Sequence, residues 1–379
     1  MYGLYIHIPF CGSRCIYCDF FSTTRTQDIP HYIDCLCSEL SIRSTSSSTH
    51  QSPILLSSIY LGGGTPSQVP VKYLEKIFNH IHKHYAVSSD IEITMECNPE
   101  DINPNYLQSL TLTPINRLSF GIQTFDKSRL SFLHRRHSSE QSVRSIKLCQ
   151  DSGYENISID LMYGFPGETI HSWEADLNQA LNLDIQHISA YSLSYEKGTP
   201  LYSMLINGKT KAIPDEQCSK MYFLILSTME NNGFEHYEIS NFAKPGFHSR
   251  HNNNYWHGVP YIGIGAGAHS YDLKHRSWNI SNLDIYMNSI ENHKLPNTIE
   301  HLSEIDNYNE YIMTRLRTME GININEMSQL FSKELLLYFN HIIKKHLDQS
   351  NLIENNHHIY LNKDKLFISD SIISDLFKV

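Results

Sequence analysis

The stretch Tyr5-Ile6-His7-Ile8-Pro9-Phe10-Cys11-Gly12-Ser13-Arg14-Cys15-Ile16-Tyr17-Cys18-Asp19-Phe20 sets three cysteines in one loop at C-x-x-x-C-x-x-C spacing. Three thiols so close cannot all pair with one another, so the spacing points to metal ligation by thiolates. Soft sulfur ligands select zinc or an iron–sulfur cluster. A [4Fe–4S] cubane normally takes four cysteines, and no fourth follows nearby. Three protein ligands leave one iron open, which suits a site that must bind something else at the metal. The competing reading is a structural zinc loop with His7 as fourth ligand.

Outward from this loop, the chain reads as alternating strands and helices. Leu4 to Ile8 is a short strand with Tyr5 and His7 on one face. Helical apolar spacing follows over 30–42, then a polar loop over 44–52. Further strands are expected over 54–61, 91–97, 117–122, 157–162 and 187–193. Helices are expected through Leu74, Ile77 and Ile81, and over 105–110, 140–151, 169–181 and 215–231. Six strand-then-helix units argue for a parallel sheet with right-handed crossovers. The cysteine loop, the run Gly62-Gly63-Gly64-Thr65-Pro66, Glu96, Gln123 and Asp160 all fall at strand C-terminal ends. In barrels that is the face where chemistry is built.

After residue 233 the pattern changes. The segment 234–300 is aromatic and glycine-rich near its start and includes His251-Asn252-Asn253-Asn254-Tyr255-Trp256. From 301 to 379 three helices (305–316, 324–331, 333–347), a small hairpin and a closing helix suggest a winged-helix-like C-terminal domain. It lacks a basic recognition helix and reads as a packing or partner module.

Composition narrows the function classes. Of 379 residues only 18% are charged, and the net charge is -10, which disfavours nucleic acid as the main partner. No apolar run is long enough to span a bilayer, and the first residues lack a signal-peptide pattern. An oxygen-sensitive thiolate cluster suits a reducing interior, so the expected location is the cytoplasm. Cys35, Cys37, Cys97, Cys149 and Cys218 have no metal-like spacing and read as packed or free thiols.

The polar residues have chemical roles open to them. Glycines at 62–64 let backbone approach a ligand closely, with N–H and C=O groups free to hold a charged head. Glu96 and Asp160 need donors if buried, and hydroxyls or an ammonium would serve. Gln123 offers donor and acceptor together. Arg135 can hold a carboxylate in a bidentate fork.

The cysteine spacing followed by Asp19-Phe20 resembles the radical S-adenosylmethionine (SAM) superfamily. That resemblance implies a partial (βα)6 barrel and SAM bound at the open iron. It also implies a reduced cluster that can split the sulfonium to give a 5′-deoxyadenosyl radical. Tyr5-x-His7-x-Pro9-Phe10-Cys11, Glu96-Cys97-Asn98-Pro99, Arg117-Leu118-Ser119-x-Gly121-x-Gln123-x-Phe125 and Asp160-Leu161-Met162-Tyr163-Gly164-x-Pro166-Gly167 resemble a narrower group. It comprises the oxygen-independent coproporphyrinogen III oxidases and their HemW-type heme chaperones, and the likeness extends through the C-terminal domain. It implies Cys11, Cys15 and Cys18 as cluster ligands and Tyr5, Gly63, Gly64, Thr65, Glu96, Gln123, Arg135 and Asp160 around SAM. Tyr17 aligns where the oxidase meets a second SAM.

Two features separate the branches. The oxidase resembles C-x-x-x-C-x-x-C-x-C, whereas this chain carries Asp19-Phe20 after its third cysteine, as the chaperones do. His251-Asn252-x-x-Tyr255-Trp256 resembles the chaperones' H-N-x-x-Y-W element, which makes His251 a candidate axial heme ligand. The expected function is therefore a heme chaperone with an acceptor haemoprotein and a reductant protein as partners. The alternative is oxidative decarboxylation of coproporphyrinogen III to protoporphyrinogen IX, an enzymatic step of porphyrin biosynthesis.

Overall fold

The computed structural model describes residues 1–46 and 53–379. Six parallel strands form its centre: β1 (Tyr2–Ile8), β2 (Leu55–Gly63), β3 (Ala86–Cys97), β4 (Arg117–Gln123), β5 (Asn156–Tyr163) and β6 (His187–Ser192). They pair in chain order, each parallel to the next. Between and after them run α1 (Ile29–Ser46), α2 (Val71–His84), α3 (Pro104–Leu110), α4 (Lys127–Phe132), α5 (Ser139–Asp151), α6 (Ile170–Leu181), α7 (Pro200–Ile206) and α8 (Asp215–Asn231). This is the six-unit partial barrel expected from the sequence. The expected polar loop over 44–52 begins later than its composition suggests, because α1 continues through Ser46; residues 47–52 lie outside the described residues.

Period-2 alternation along the strands explains how the barrel holds together and why it is not a filled core. Leu4, Ile6 and Ile8 of β1 are fully buried in the main apolar cluster with Tyr32, Ile33 and Leu36 of α1. The alternate residues, Tyr5 and His7, point the other way. Glu92, Thr94 and Glu96 on β3 and Arg117, Ser119, Gly121 and Gln123 on β4 form the same polar row. A barrel lined this way keeps its interior for ligands and water, unlike the apolar side-chain layers of a closed barrel.

The segment 234–300 is more than a connection. Its strands β7 (Glu235–Glu238) and β8 (Asn241–Ala243) extend one edge of the sheet, β8 antiparallel to β6 and β7 antiparallel to β8. After α9 (Arg250–Trp256), β9 (Tyr261–Ile264) pairs parallel with β1 at the other edge. There β10 (His269–Tyr271), β11 (His275–Asn279) and β12 (Asn297–His301) follow antiparallel, with α10 (Leu283–Glu291) between the last two. The result is one 12-stranded sheet ordered β12-β11-β10-β9-β1-β2-β3-β4-β5-β6-β8-β7.

The C-terminal region runs α11 (Glu304–Leu316), β13 (Ile322–Asn323), α12 (Ile324–Leu330), α13 (Lys333–Asp348), β14 (Leu352–Asn355), β15 (His358–Leu361) and α14 (Ser369–Asp375). Its sheet order, β13-β15-β14, with that helix–strand–helix–helix–strand–strand succession, is the winged-helix arrangement. Ser303 starts α11 with a reciprocal cap to Asp306, so two orphan N–H groups are satisfied at the junction. The region joins the barrel through Met319 N–H to Tyr237 C=O at 3.1 Å and Ile239 N–H to Arg317 C=O at 3.0 Å.

Candidate functional site

One cavity of about 470 Å³ opens at the C-terminal ends of β1–β6. The loop after β1 brings Cys11, Cys15, Cys18 and Tyr17 to it. The end of β2 brings Gly63, Gly64 and Thr65; β3, β4 and β5 bring Glu96, Gln123 and Asp160; the turn after α4 brings Arg135. Of the candidate residues, Tyr5 and His251 do not line it.

The glycines are there for space. A Cβ on Gly63 would lie 2.5 Å from the His7 ring, and this residue holds φ +115°. A Cβ on Gly64 would lie 2.7 Å from the Phe10 carbonyl oxygen. Both clashes come from the strand-to-loop turn that carries the cysteines, so the two motifs fit only together. Gln123 is also held at positive φ, +70°, a strained setting for a side chain that persists where surroundings fix it.

The donor set suits a thiolate cluster. Thr65 Oγ1 lies 3.6 Å from Cys11 Sγ and Arg135 Nη1 lies 3.5 Å from Cys15 Sγ. Burial pushes the Cys11 thiol up, against the Thr65 hydroxyl. Burial, with the Cys15, Cys11 and Asp19 charges, pushes Cys18 up to about 11 although the Phe20 backbone opposes it. Thiols held like this become ligands when a cation takes their charge. Arg135 also donates to Asn98 Oδ1 at 2.7 Å and to the Gly121 carbonyl, while its buried Nε has no partner among the described residues.

His7 is not placed as a fourth ligand. The Tyr5 hydroxyl donates to its Nδ1 at 2.9 Å, and its Nε2–H donates to the Phe21 carbonyl at 2.9 Å. Burial lowers this imidazole to about 4. Among the described residues no three His, Cys, Asp or Glu side chains converge on a single-ion site.

The acids form the opposite wall. Glu96 accepts from the Tyr60 hydroxyl at 2.9 Å and the Gly63 N–H at 3.0 Å. Burial nevertheless raises it to about 7, with the Asp160 charge adding to the rise. Burial raises Asp160 to about 6, opposed by the Ser189 hydroxyl, Arg117 and Arg135. Two carboxyls raised in one pocket favour a cationic ligand, which would restore their charge.

Two of the expected residues lie outside the cavity lining. Tyr5 stands one side chain back, its ring 6.2 Å from that of Tyr60, and Tyr60 meets the cavity in front of it. His251 is 1% exposed; its Nδ1 is 2.9 Å from Ser58 Oγ and its Nε2 is 2.9 Å from Tyr255 Oη. With both ring nitrogens hydrogen-bonded and burial lowering it to about 3, His251 is packed as a polar residue between Ser58 and Tyr255. Its neighbour Asn252 is the residue of α9 that reaches the cavity. The pattern also missed Tyr60, Arg117, Ser119, Ser189 and Tyr191, which line it too. Arg117 and Ser119 stood in a quoted motif without a role, and for Tyr60, Ser189 and Tyr191 the only signal was inward alternation on strands whose inner face had to be known first.

Comparison with known proteins agrees with this geometry. The family described as the radical SAM superfamily matches residues 5–180. "Heme chaperone HemW" of Bacillus subtilis (strain 168) is 36% identical over 358 residues, covering 94% of this chain and 93% of that protein. The HemW of Lactococcus lactis subsp. lactis (strain IL1403) is 32% identical over 96% of this chain and 93% of its own. Among solved structures, coproporphyrinogen III oxidase (HemN) from Escherichia coli superposes with TM-score 0.85, covering 99% of this chain and 90% of that one. At 19% sequence identity this likeness concerns the fold.

Proposed function

The chain belongs to the HemW-type branch of the radical SAM superfamily, and from that membership we propose that it is a heme chaperone. It binds heme and passes it to a haemoprotein, with a [4Fe–4S] cluster and SAM bound in the barrel. The observation that carries the cofactor part is the single cavity shared by three thiols, the glycine turn and two carboxyls. The heme part rests on the relatives' names, which call those proteins heme chaperones.

The chemistry the cluster supplies when bound is one-electron reduction of the sulfonium cofactor. In this reading Cys11, Cys15 and Cys18 hold three irons. Thr65 and Arg135 donate toward two of the sulfurs, which tunes the electron density on those thiolates. Gly63 and Gly64 leave room for the amino acid head of SAM, and Arg135 takes its carboxylate. Glu96, Asp160 and Gln123 hold its ammonium and ribose, and Tyr17 closes the cavity beside the cluster loop. In this reading the protein works in the cytoplasm, the reducing compartment that an oxygen-sensitive cluster suits, with a reductant protein as electron source. No helix among the described residues is long and apolar enough to cross a membrane.

The test is anaerobic reconstitution followed by heme titration and coproporphyrinogen incubation side by side. Heme should bind with a Soret shift, and coproporphyrinogen should persist with SAM and a competent reductant present. Stoichiometric conversion to protoporphyrinogen would overturn the chaperone reading in favour of the oxidase.

A further inference from the structure

A second hollow, of about 1000 Å³, lies between α9, the outer strands β9–β11 and helices α11 and α12 of the C-terminal region. We propose that this hollow, rather than the cysteine cavity, holds the heme; the inference rests on the chaperone reading above. Its walls carry Tyr255, Trp256, Tyr261, Tyr271, Tyr311 and Phe331. Tyr255 meets Tyr261 edge-on at 4.6 Å, and Tyr311 meets Phe331 at 5.4 Å. At its rim Leu273, Leu330 and Met313 are 52%, 55% and 37% exposed. Apolar side chains gathered at the mouth of a large hollow mark a surface that something covers. The volume sits at the upper end of small-molecule sites, about twice that of the charged cysteine cavity.

Two cations make the occupant more specific than an oily molecule. Arg276 on β11 and Arg315 on α11 both line the hollow, and guanidinium forks suit carboxylates. A flat apolar ring bearing two carboxylates fits aromatic walls and two arginines from different elements. Each arginine is now held by acids: Arg276 by Glu300 and Glu310, Arg315 by Glu326 at 2.8 Å. Bound propionates therefore displace Glu310 and Glu326 from the forks. That exchange gives the site a signature, because neutralising a competing acid strengthens binding where a structural role would not. The indole Nε1 of Trp256 is buried without an acceptor among the described residues, a further polar atom left open at this wall. Both Tyr255 and Trp256 belong to the same short helix as His251, so the element singled out in the sequence meets heme through its aromatic end.

The experiment titrates the full-length, anaerobically reconstituted protein with heme, iron-free protoporphyrin IX and heme dimethyl ester. Arg276→Gln and Arg315→Gln should each weaken heme and protoporphyrin about tenfold and leave the ester unchanged. Glu326→Gln should tighten heme and protoporphyrin. Leu330→Glu, at an exposed position that leaves folding intact, should weaken all three. Cluster content and SAM affinity should stay at wild-type values throughout. If wild type binds heme and all four variants bind it equally well, the hollow is not the site and the chaperone reading stands. If wild type binds no heme, the chaperone reading fails and this inference with it.

Discussion

At the scale of single residues, Cys11, Cys15 and Cys18 reach the cavity from one loop, and Cys97 reaches it from β3. Cys97 is 3% exposed and donates to the Met95 carbonyl, although it is close in sequence to Glu96. Replacing Cys11, Cys15 or Cys18 by Ala should abolish the expected content of about four irons and four sulfides, whereas Cys97→Ala should retain it. Iron and sulfide analysis after anaerobic reconstitution decides this, and full iron in any of the three loop variants would remove that residue from the ligand set. Glu96 and Asp160 carry a pH dependence of definite sign. Their folded values, about 7 and about 6, lie above the ordinary 4.5 and 3.8. The protein without ligand therefore binds extra protons when folded. That stability is fully present below the ordinary values and is lost as pH rises through about 6 and 7. Binding of a cationic ligand runs the other way. SAM affinity should climb from pH 5.5 to pH 8 and then level off, with a shallower climb in Glu96→Gln. A flat profile in wild type would show that neither acid faces the ligand.

At the scale of elements, legibility followed periodicity. The six parallel strands and their long helices were visible because apolar residues repeat along them, and the structure moves their ends by only a few residues. The strands β7 to β12 were not visible. They are three to five residues long, and their partners, such as β1 for β9, are far away in sequence. Helix α9 was hidden for a different reason. Its inward contacts are polar, His251 and Asn254 both reaching Ser58, so Arg-His-Asn-Asn-Asn-Tyr-Trp has no apolar stripe to read. That same packing predicts what His251 does. His251→Ala removes two hydrogen bonds and a buried ring, and should cost roughly 2–4 kcal/mol of stability. The heme Soret band should keep its position. Denaturant unfolding and heme spectra on the same preparation separate the two effects, and a shifted Soret band with unchanged stability would restore His251 as a ligand.

At the scale of the whole molecule, α9 is the wall between two sites. Asn252 lines the cysteine cavity, while Tyr255 and Trp256 line the hollow beside the C-terminal region. Between them His251 bonds Tyr255 on one side and Ser58 of β2 on the other, and β2 ends in the glycine turn at the cavity. A ligand that shifts one end of a seven-residue helix changes the setting of the other end, since packed interiors move as units. The two sites should therefore be coupled. Heme affinity should differ by about threefold or more between SAM-free and SAM-saturated protein. By linkage SAM affinity must then change by the same factor when heme is saturating. Asn252→Ala, which leaves the aromatic wall and the cluster ligands intact, should bring that factor toward one while each ligand still binds alone. Four titrations complete the cycle. Equal heme affinity with and without SAM would mean that α9 separates the sites without connecting them, and that cofactor and cargo are handled independently.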